Sequence, residues 1–257
     1  MVEDFSFLNR DEIDEYTKLS KKVNLAYEKD YYVETDFLDP YWQKILQSIV
    51  NRYIGMKSSF IGIFNDAERK IAIIYSDFLQ NPLSEDYLSC LSFDLPDDVL
   101  HKDVLGTLMS LGVNRKAIGD IVIRDGKCYI AVKNSLSNYL IAEFREIRRH
   151  EITLKQVDGT NISATKLKVT YKTVVVPSLR LDAIVASVYN IKRNIAVNMI
   201  KKGLVKVDYR QTFDVDKKIE LPALISVRGY GRVYIDEVSG STQKGNLKLA
   251  IRKGEYR

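Results

Sequence analysis

The chain has 257 residues, of which 46% are hydrophobic and 28% are charged, and its formal net charge is +5. These proportions are typical of a globular protein with an ordinary core, and they exclude a disordered or collagen-like chain. The chain has two cysteines and no C-x-x-C pair, which predicts a cytoplasmic protein without a metal site. No apolar run approaches the roughly 18 residues that span a bilayer, so no membrane segment is predicted.

Residues 1–81 predict a small N-terminal domain that contains helices and a hairpin. Asn9 can cap the first helix, and Asp39-Pro40 combines a cap with a first-turn proline for the second. Asn81-Pro82 breaks the pattern, so we place the first domain boundary there. The predicted elements are helices over 9–27 and 41–53 and strands over 60–64 and 71–75.

Residues 82–177 predict a middle domain with the order strand, helix, strand, strand, helix, strand. Asp125-Gly126, between two apolar runs, predicts a hairpin at its centre. This order is that of a ferredoxin-like or RRM-like fold, which hosts many functions and assigns none. The elements are predicted at 87–93, 100–111, 120–124, 127–132, 136–147 and 151–157, with a further strand at 167–176 before the second boundary at Pro177.

Residues 178–257 predict a third domain, and the whole chain is therefore expected to be α+β. Gly203 stands where a left-handed residue would end the second of two short helices. The elements are predicted as helices over 179–189 and 195–202 and strands over 205–209, 224–228, 232–238 and 247–251.

Positive charge is concentrated in this last domain. Residues 178–257 contain 16 Lys and Arg against 8 Asp and Glu, whereas residues 1–177 contain 23 against 26. A lobe of this kind attracts a polyanion by displacing its condensed counterions. Charge alone leaves open the alternative of a solvated basic surface without a partner.

The residue types in the basic lobe indicate RNA binding. Arg180 at a helix start would combine a fork of donors with free backbone N–H groups, which together suit a phosphate. Asp182 would orient Arg180 or cap the helix, and the Tyr230 ring, between two glycines, could stack on a base. The candidate RNA-binding residues are Arg180, Asp182, Lys192, Arg193, Lys201, Lys202, Lys206, Arg210, Arg228, Tyr230 and Arg232.

Three segments resemble the S-four RNA-binding domain, also called the αL motif: Arg-Leu-Asp at 180–182, the helix from Arg193 to Gly203, and 225–229. That family folds as two helices against a small twisted sheet and holds structured RNA on its helical face. The resemblance implies that RNA faces Arg180, Asp182, Arg193, Lys201 and Lys202, with Arg228 and Arg232 as further candidates.

The chain departs from the S-four pattern at three places. Lys192 stands where the family usually has a serine, which adds charge but removes a helix cap. Asp208 replaces an asparagine and could weaken contact with RNA there. Pro222-Ala223 replaces the usual Gly-Asp turn.

Over nearly its full length the chain resembles the YlmH family, and two motifs support this. They are Asn-Arg-Lys-Ala-Ile-Gly-Asp-Ile at 114–121 and Val-Arg-Gly-Tyr-Gly-Arg at 227–232. The resemblance implies a bacterial protein that binds rRNA or tRNA on the large ribosomal subunit, in quality control of stalled translation. From the residues themselves, Gly119 predicts a turn into a strand, with Asp120 capping it or pairing with Arg115.

Two further classes of function are compatible with parts of the sequence. Arg-Leu-Asp also surrounds the catalytic aspartate of pseudouridine synthases, but no large catalytic domain follows residue 182 here. A division-linked adaptor would bind protein through the aromatic-rich segment 27–42, and this is compatible with ribosome binding. We expect a monomer that is not an enzyme, with no catalytic residue, cofactor or small-molecule substrate, and we leave the ligand of the middle domain open.

Overall fold

The computed structural model describes residues 9–164 and 169–254, and these ranges form two separate compact units. The first unit combines the N-terminal and middle regions, and the second is the basic C-terminal region. Among the described residues, no helix has the length and apolarity that crossing a bilayer requires.

The N-terminal part of the first unit packs two helices against a three-stranded sheet. The predicted caps are confirmed: Asn9 Oδ1 accepts the Glu12 N–H at 3.0 Å, and Asp39 Oδ1 accepts the Trp42 N–H at 3.1 Å. The elements are α1 (Arg10–Lys29), β1 (Val33–Glu34), α2 (Pro40–Val50), β2 (Met56–Ile61) and β3 (Ile71–Ser76), and the sheet order is β1-β3-β2.

The middle part contains the predicted order strand, helix, strand, strand, helix, strand. Asp125 and Gly126 have φ angles of 51° and 71°, as a tight two-residue hairpin turn requires. The elements are β4 (Leu88–Asp94), α3 (His101–Ser110), β5 (Ile118–Arg124), β6 (Lys127–Lys133), α4 (Asn134–Glu143), β7 (Glu146–Ile147), β8 (His150–Glu151) and β9 (Lys155–Val157). Strands β7 and β8 form a separate small hairpin, so the final strand of the four-stranded sheet, β5-β6-β4-β9, is shorter than predicted.

Both faces of this four-stranded sheet are covered by protein. One face packs on α3 and α4 through a cluster that includes Leu91, Ile130 and Leu140. The other face, through Cys90 and Ala131, joins a cluster with side chains of the N-terminal part. The predicted boundary at Asn81-Pro82 is therefore corrected, because the two parts share a core and fold as one unit. The open sheet face on which an RRM stacks bases is also absent from this sheet.

The second unit is a six-stranded antiparallel sheet with two helices. Its strand order is β10-β15-β14-β13-β11-β12. The elements are β10 (Val169–Val176), α5 (Leu181–Val188), α6 (Arg193–Lys201), β11 (Val205–Val207), β12 (Arg210–Gln211), β13 (Ala223–Val227), β14 (Gly231–Ser241) and β15 (Leu247–Gly254).

Strand β10 corrects the second predicted boundary. We expected this strand to end the middle domain, but it pairs with β15 along its whole length, from Val169 opposite Gly254 to Val176 opposite Leu247. Val176 is fully buried in the core of the second unit. The alternation of apolar residues in this segment predicts a strand, but it does not determine which strand pairs with it. The pairing with β15 is explained by burial of the apolar side chains of β10 in the second unit.

Helices α5 and α6 cover one face of the six-stranded sheet. Leu181, Ile184 and Ile200 are fully buried against strand residues such as Ile235 and Leu249. Because side chains alternate along a strand, the residues between these apolar positions lie on the opposite face. The second unit thus has a helical surface and, on the other side, a sheet surface.

Candidate nucleic-acid interface

Two arginines from different helices converge on one buried carboxylate. Arg180 Nε and Nη2 each donate to an oxygen of Asp182 at 3.1 Å, and Arg193 Nε donates to Asp182 Oδ2 at 2.9 Å. The Asp182 side chain is 3% exposed, whereas those of Arg180 and Arg193 are 41% and 55% exposed. The carboxylate therefore lies beneath two guanidiniums whose outer edges reach solvent.

The charges of the cluster keep Asp182 ionised. Burial by itself would raise the pKa of this carboxyl, but hydrogen bonds and charge from Arg180 and Arg193 outweigh it and hold the pKa below its ordinary value. The pKa of Arg180 is raised, chiefly by its hydrogen bond to Asp182. The ionised carboxylate holds the guanidiniums of Arg180 and Arg193 in position.

Two predictions about the start of α5 were wrong: the exposure of Asp182 and the free backbone N–H groups. Asp182 was predicted to face RNA, but it is buried and instead holds Arg180 and Arg193. The free N–H groups expected at the helix start are also occupied: Leu181 N–H donates to Lys217 O at 2.9 Å, and Ala183 N–H to Asp182 Oδ1 at 2.9 Å. A phosphate here would bind the guanidiniums rather than the helix terminus.

Asp216 is a residue of this cluster that the sequence did not single out. Its Oδ1 accepts a hydrogen bond from Arg180 Nη2. Its side chain is 70% exposed, so this contact lies at the solvent-exposed edge of the cluster. The proximity is produced by the loop that caps α5, which follows Arg180 by more than thirty residues along the chain.

Three lysines extend the cationic surface along α6. Lys192 precedes the helix and is exposed, and its side chain makes no capping hydrogen bond, as its replacement of serine predicted. Lys201 and Lys202 are exposed at the other end of the nine-residue helix, about 13 Å away. Gly203 follows with a φ of 66°, which confirms the predicted left-handed helix end.

The turn at 228–232 is attached to the end of α5. The Tyr189 hydroxyl lies 3.0 Å from the carbonyl oxygens of Ile225 and Gly231, and burial raises the pKa of Tyr189. The Tyr230 ring packs edge-on against Tyr189 with centroids 5.8 Å apart, and it remains 42% exposed. Arg228 is also exposed, so the turn presents a cation and part of a ring to solvent.

The remaining candidates do not join the helical surface. Lys206 and Arg232 are both opposite Ser226 in the strand register. Each is next to a buried valine in its own strand, and because side chains alternate along a strand, both point to the sheet surface. Arg210 is half-buried on the edge strand β12. The predicted residues therefore do not form the single set that the sequence suggested, since Asp182 is buried and Lys206 and Arg232 lie on the sheet surface.

In the first unit, the motif at 114–121 connects the N-terminal and middle parts. Asp120 Oδ2 accepts the N–H groups of Glu68 at 2.7 Å and Arg69 at 3.1 Å, and burial raises its pKa. A side chain at Gly119 would come within 2.6 Å of the Phe37 ring. Close packing therefore explains this glycine, in place of the turn that we predicted.

Comparisons with known proteins agree with the assignment of RNA binding. The family model described as "Putative RNA-binding domain in YlmH" matches residues 97–161, in the region whose ligand we had left open. Ribosome-associated protein quality control protein P2 of Bacillus subtilis (strain 168) is 28% identical over 223 residues, covering 85% of this chain and 86% of that protein.

A solved structure has a similar fold. The cell division protein ylmH from Streptococcus pneumoniae matches with a TM-score of 0.50 and 21% identity, covering 61% of this chain and 92% of that one. The family model, the curated relative and this structure confirm the resemblance first indicated by the motifs at 114–121 and 227–232. Together these similarities support the assignment of the chain to the YlmH family.

Proposed function

We propose that this protein binds structured rRNA or tRNA on the large ribosomal subunit through the helical surface of its second unit, without catalysing a reaction. The observation that carries the proposal is the pair of exposed guanidiniums, Arg180 and Arg193, held in place by the buried Asp182. An arginine side chain normally loses conformational entropy when it binds a ligand. Because Asp182 already holds these two guanidiniums in place, part of that entropy is lost before RNA binds.

The similarity to a ribosome-associated quality control protein supports the ribosome as the site of binding and stalled translation as its context. Two helices on a twisted sheet, with the arginines at their N-terminal ends, support an S-four type of RNA contact. The family-model match at 97–161 supports a second RNA contact in the first unit. There the β7–β8 hairpin carries Arg149, whose side chain is 83% exposed.

The alternative hypothesis is that the protein is a pseudouridine-synthase-like enzyme, in which Asp182 would be the catalytic residue. A nucleophilic carboxylate must reach its substrate, but Asp182 is 2% exposed and both of its oxygens accept hydrogen bonds from arginine. This geometry favours a positioning role for Asp182 and a protein that binds without catalysis.

The second alternative hypothesis is that the protein is a division-linked adaptor, which would bind another protein through the aromatic-rich segment 27–42. Tyr27, Tyr31 and Tyr32 keep 51%, 44% and 37% of their area exposed, whereas Phe37 is buried in the core of the first unit. The exposed tyrosines leave room for a protein contact that would accompany ribosome binding.

The test is co-sedimentation of the full-length protein with large ribosomal subunits across a salt series. Alanine at both arginines would leave the buried Asp182 carboxylate with no side-chain donor, so Arg180→Gln with Arg193→Gln is preferred. We expect affinity to fall about tenfold or more. The slope of log affinity against log salt should also become shallower by about two units, one for each lost phosphate contact.

Two matched variants sharpen the experiment. Lys172→Ala with Lys244→Ala removes the same charge from exposed positions of the same unit, and should reduce affinity much less. Asp216→Asn removes the exposed carboxylate that competes with phosphate for Arg180, and should raise affinity. Unchanged sedimentation of a folded double-glutamine variant, or an equal loss in the lysine variant, would contradict the proposal.

A further inference from the structure

The sheet surface of the second unit carries a row of three side chains from three neighbouring strands. In the strand register, Arg252 on β15 is opposite Tyr171 on β10 and also opposite Tyr234 on β14. Val233 and Ile235, on either side of Tyr234, are buried beneath the helices. The row therefore lies on the face that α5 and α6 do not cover.

Arg252 is fixed between the two rings. Its Nε donates to Asp236 Oδ1 at 2.9 Å, and its Nη2 lies 2.7 Å from the same oxygen. Its Cζ is 5.2 Å from the centroid of the Tyr234 ring, within cation–π range. The Arg252 side chain nevertheless stays 41% exposed.

Both tyrosines are open to solvent. Tyr171 is 74% exposed and Tyr234 is 37% exposed. Since neighbouring strands lie about 4.8 Å apart, the two residues, separated by one strand, are about 10 Å apart. The rings can thus contact different bases of one strand, with the Arg252 guanidinium between them.

A second row adds positive charge beside the first. Arg232 and Lys206 flank Ser226 in the register, and the Arg232 Cζ lies 5.8 Å from the Tyr209 ring. The two rows together contain three cations, Arg252, Arg232 and Lys206, and Arg252 forms an ion pair with Asp236. Rings interleaved with cations on an open sheet are the arrangement that stacks bases and neutralises phosphates.

A purely structural role or a protein-binding role fits these rows less well. Cross-strand Tyr–Arg pairs stabilise a sheet, but that role does not require a ring as exposed as that of Tyr171. A protein partner would need a contiguous apolar centre, whereas here each ring has a cation as its neighbour.

We propose that the sheet surface, through Tyr171, Tyr234 and Arg252, is a binding site for single-stranded RNA, separate from the helical surface. The site holds unpaired bases by stacking, while the helical surface holds the backbone of a folded RNA. The proposal goes beyond the proposed function, and either one can fail without the other.

The test measures binding of a fluorescein-labelled 12-nucleotide oligouridylate to the full-length protein by fluorescence anisotropy. Tyr171→Leu with Tyr234→Leu keeps apolar bulk on the sheet but removes both rings. We expect binding to weaken roughly a hundredfold, about tenfold for each stacked base. The corresponding Tyr→Phe pair should keep wild-type affinity, and Tyr27→Leu, at an exposed tyrosine of the first unit, should have no effect.

The Arg180→Gln, Arg193→Gln variant separates the two surfaces, and it should bind the oligonucleotide within a fewfold of wild type. Equal affinity of the wild-type and Leu variants would overturn the proposal, as would loss of binding in the glutamine variant alone or no binding by the wild type. If the Leu pair does not fold, ultraviolet cross-linking of the wild-type protein decides the matter. Cross-links at Tyr171 or Tyr234 support the site, and cross-links confined to α5 and α6 refute it.

Discussion

Asp182 shows how a single buried acid can organise a cationic surface. A carboxylate beneath two arginines costs desolvation energy, and here hydrogen bonds from both guanidiniums offset that cost. The arginines are thereby held side by side despite the mutual repulsion of their charges. The exposed Asp216 forms a further ion pair with Arg180.

Replacing this acid tests its role in stability. Asp182→Asn should lower the free energy of unfolding by about 1–3 kcal/mol at neutral pH, because hydrogen bonds to a charged acceptor are lost. The folded pKa of Asp182 is lowered, so its contribution is present above the unfolded value of about 3.9 and is lost as pH falls through the folded pKa. Urea unfolding should therefore show a gap between wild type and variant that is constant above about pH 5 and shrinks on acidification.

The exposed Asp216→Asn variant is the control for this measurement, and its stability should change little. A gap between wild type and Asp182→Asn that stayed constant down to about pH 2 would show that ionisation of Asp182 is not what stabilises the cluster.

At the scale of elements, the end of α6 positions the strands that follow. Gly203 N–H donates to Ile200 O at 2.8 Å, and Leu204 N–H donates to Met199 O at 3.0 Å, which is the Schellman pattern. The chain then enters β11 directly. Lys201 and Lys202 depend on this turn, because it determines where the helix stops and which way its last residues point.

Gly203→Ala should therefore destabilise the second unit. The position has a φ of 66°, and a Cβ there would lie 2.2 Å from Gln211 Nε2 and 2.8 Å from the Phe213 ring. We expect a loss of about 1–3 kcal/mol in thermal unfolding. Gly106→Ala, in the interior of α3 with open space around it, should instead gain up to about 1 kcal/mol. Equal effects of the two substitutions would show that the turn does not require glycine at position 203.

At the scale of the whole molecule, the division between the two units falls before β10 rather than at Pro177. The eight residues of β10 close one edge of the C-terminal sheet, and Val174 and Val176 pack on its core. The basic lobe thus needs a strand that precedes the residues in which positive charge is concentrated.

Fragments should reveal this division. A fragment of residues 166–257 should unfold cooperatively, whereas one of residues 178–257 should melt at a lower temperature, because β15 loses its partner along eight register positions. Circular dichroism melts of the two fragments measure the difference. Matching midpoints would mean that β10 adds no stability to the second unit.

Features that depend on residues close together in the chain could be predicted from the sequence. The Asn9–Glu12 cap, the Asp125-Gly126 hairpin and the Gly203 helix end each involve neighbours within a few positions, whose preferences hold in almost any context. The segregation of charge and the family motifs, which indicated RNA binding, are also properties of the chain before it folds.

Tertiary structure alone decided which distant residues meet. It paired β10 with β15, brought Asp216 to Arg180, joined Asp120 to the backbone of Glu68 and Arg69, and divided the basic residues between two surfaces. Each outcome depends on packing between segments tens of residues apart, where an alternating pattern shows which side chains are buried but not against which partner. The tyrosines of the sheet surface become neighbours for the same reason, because three strands from different parts of the second unit share one register.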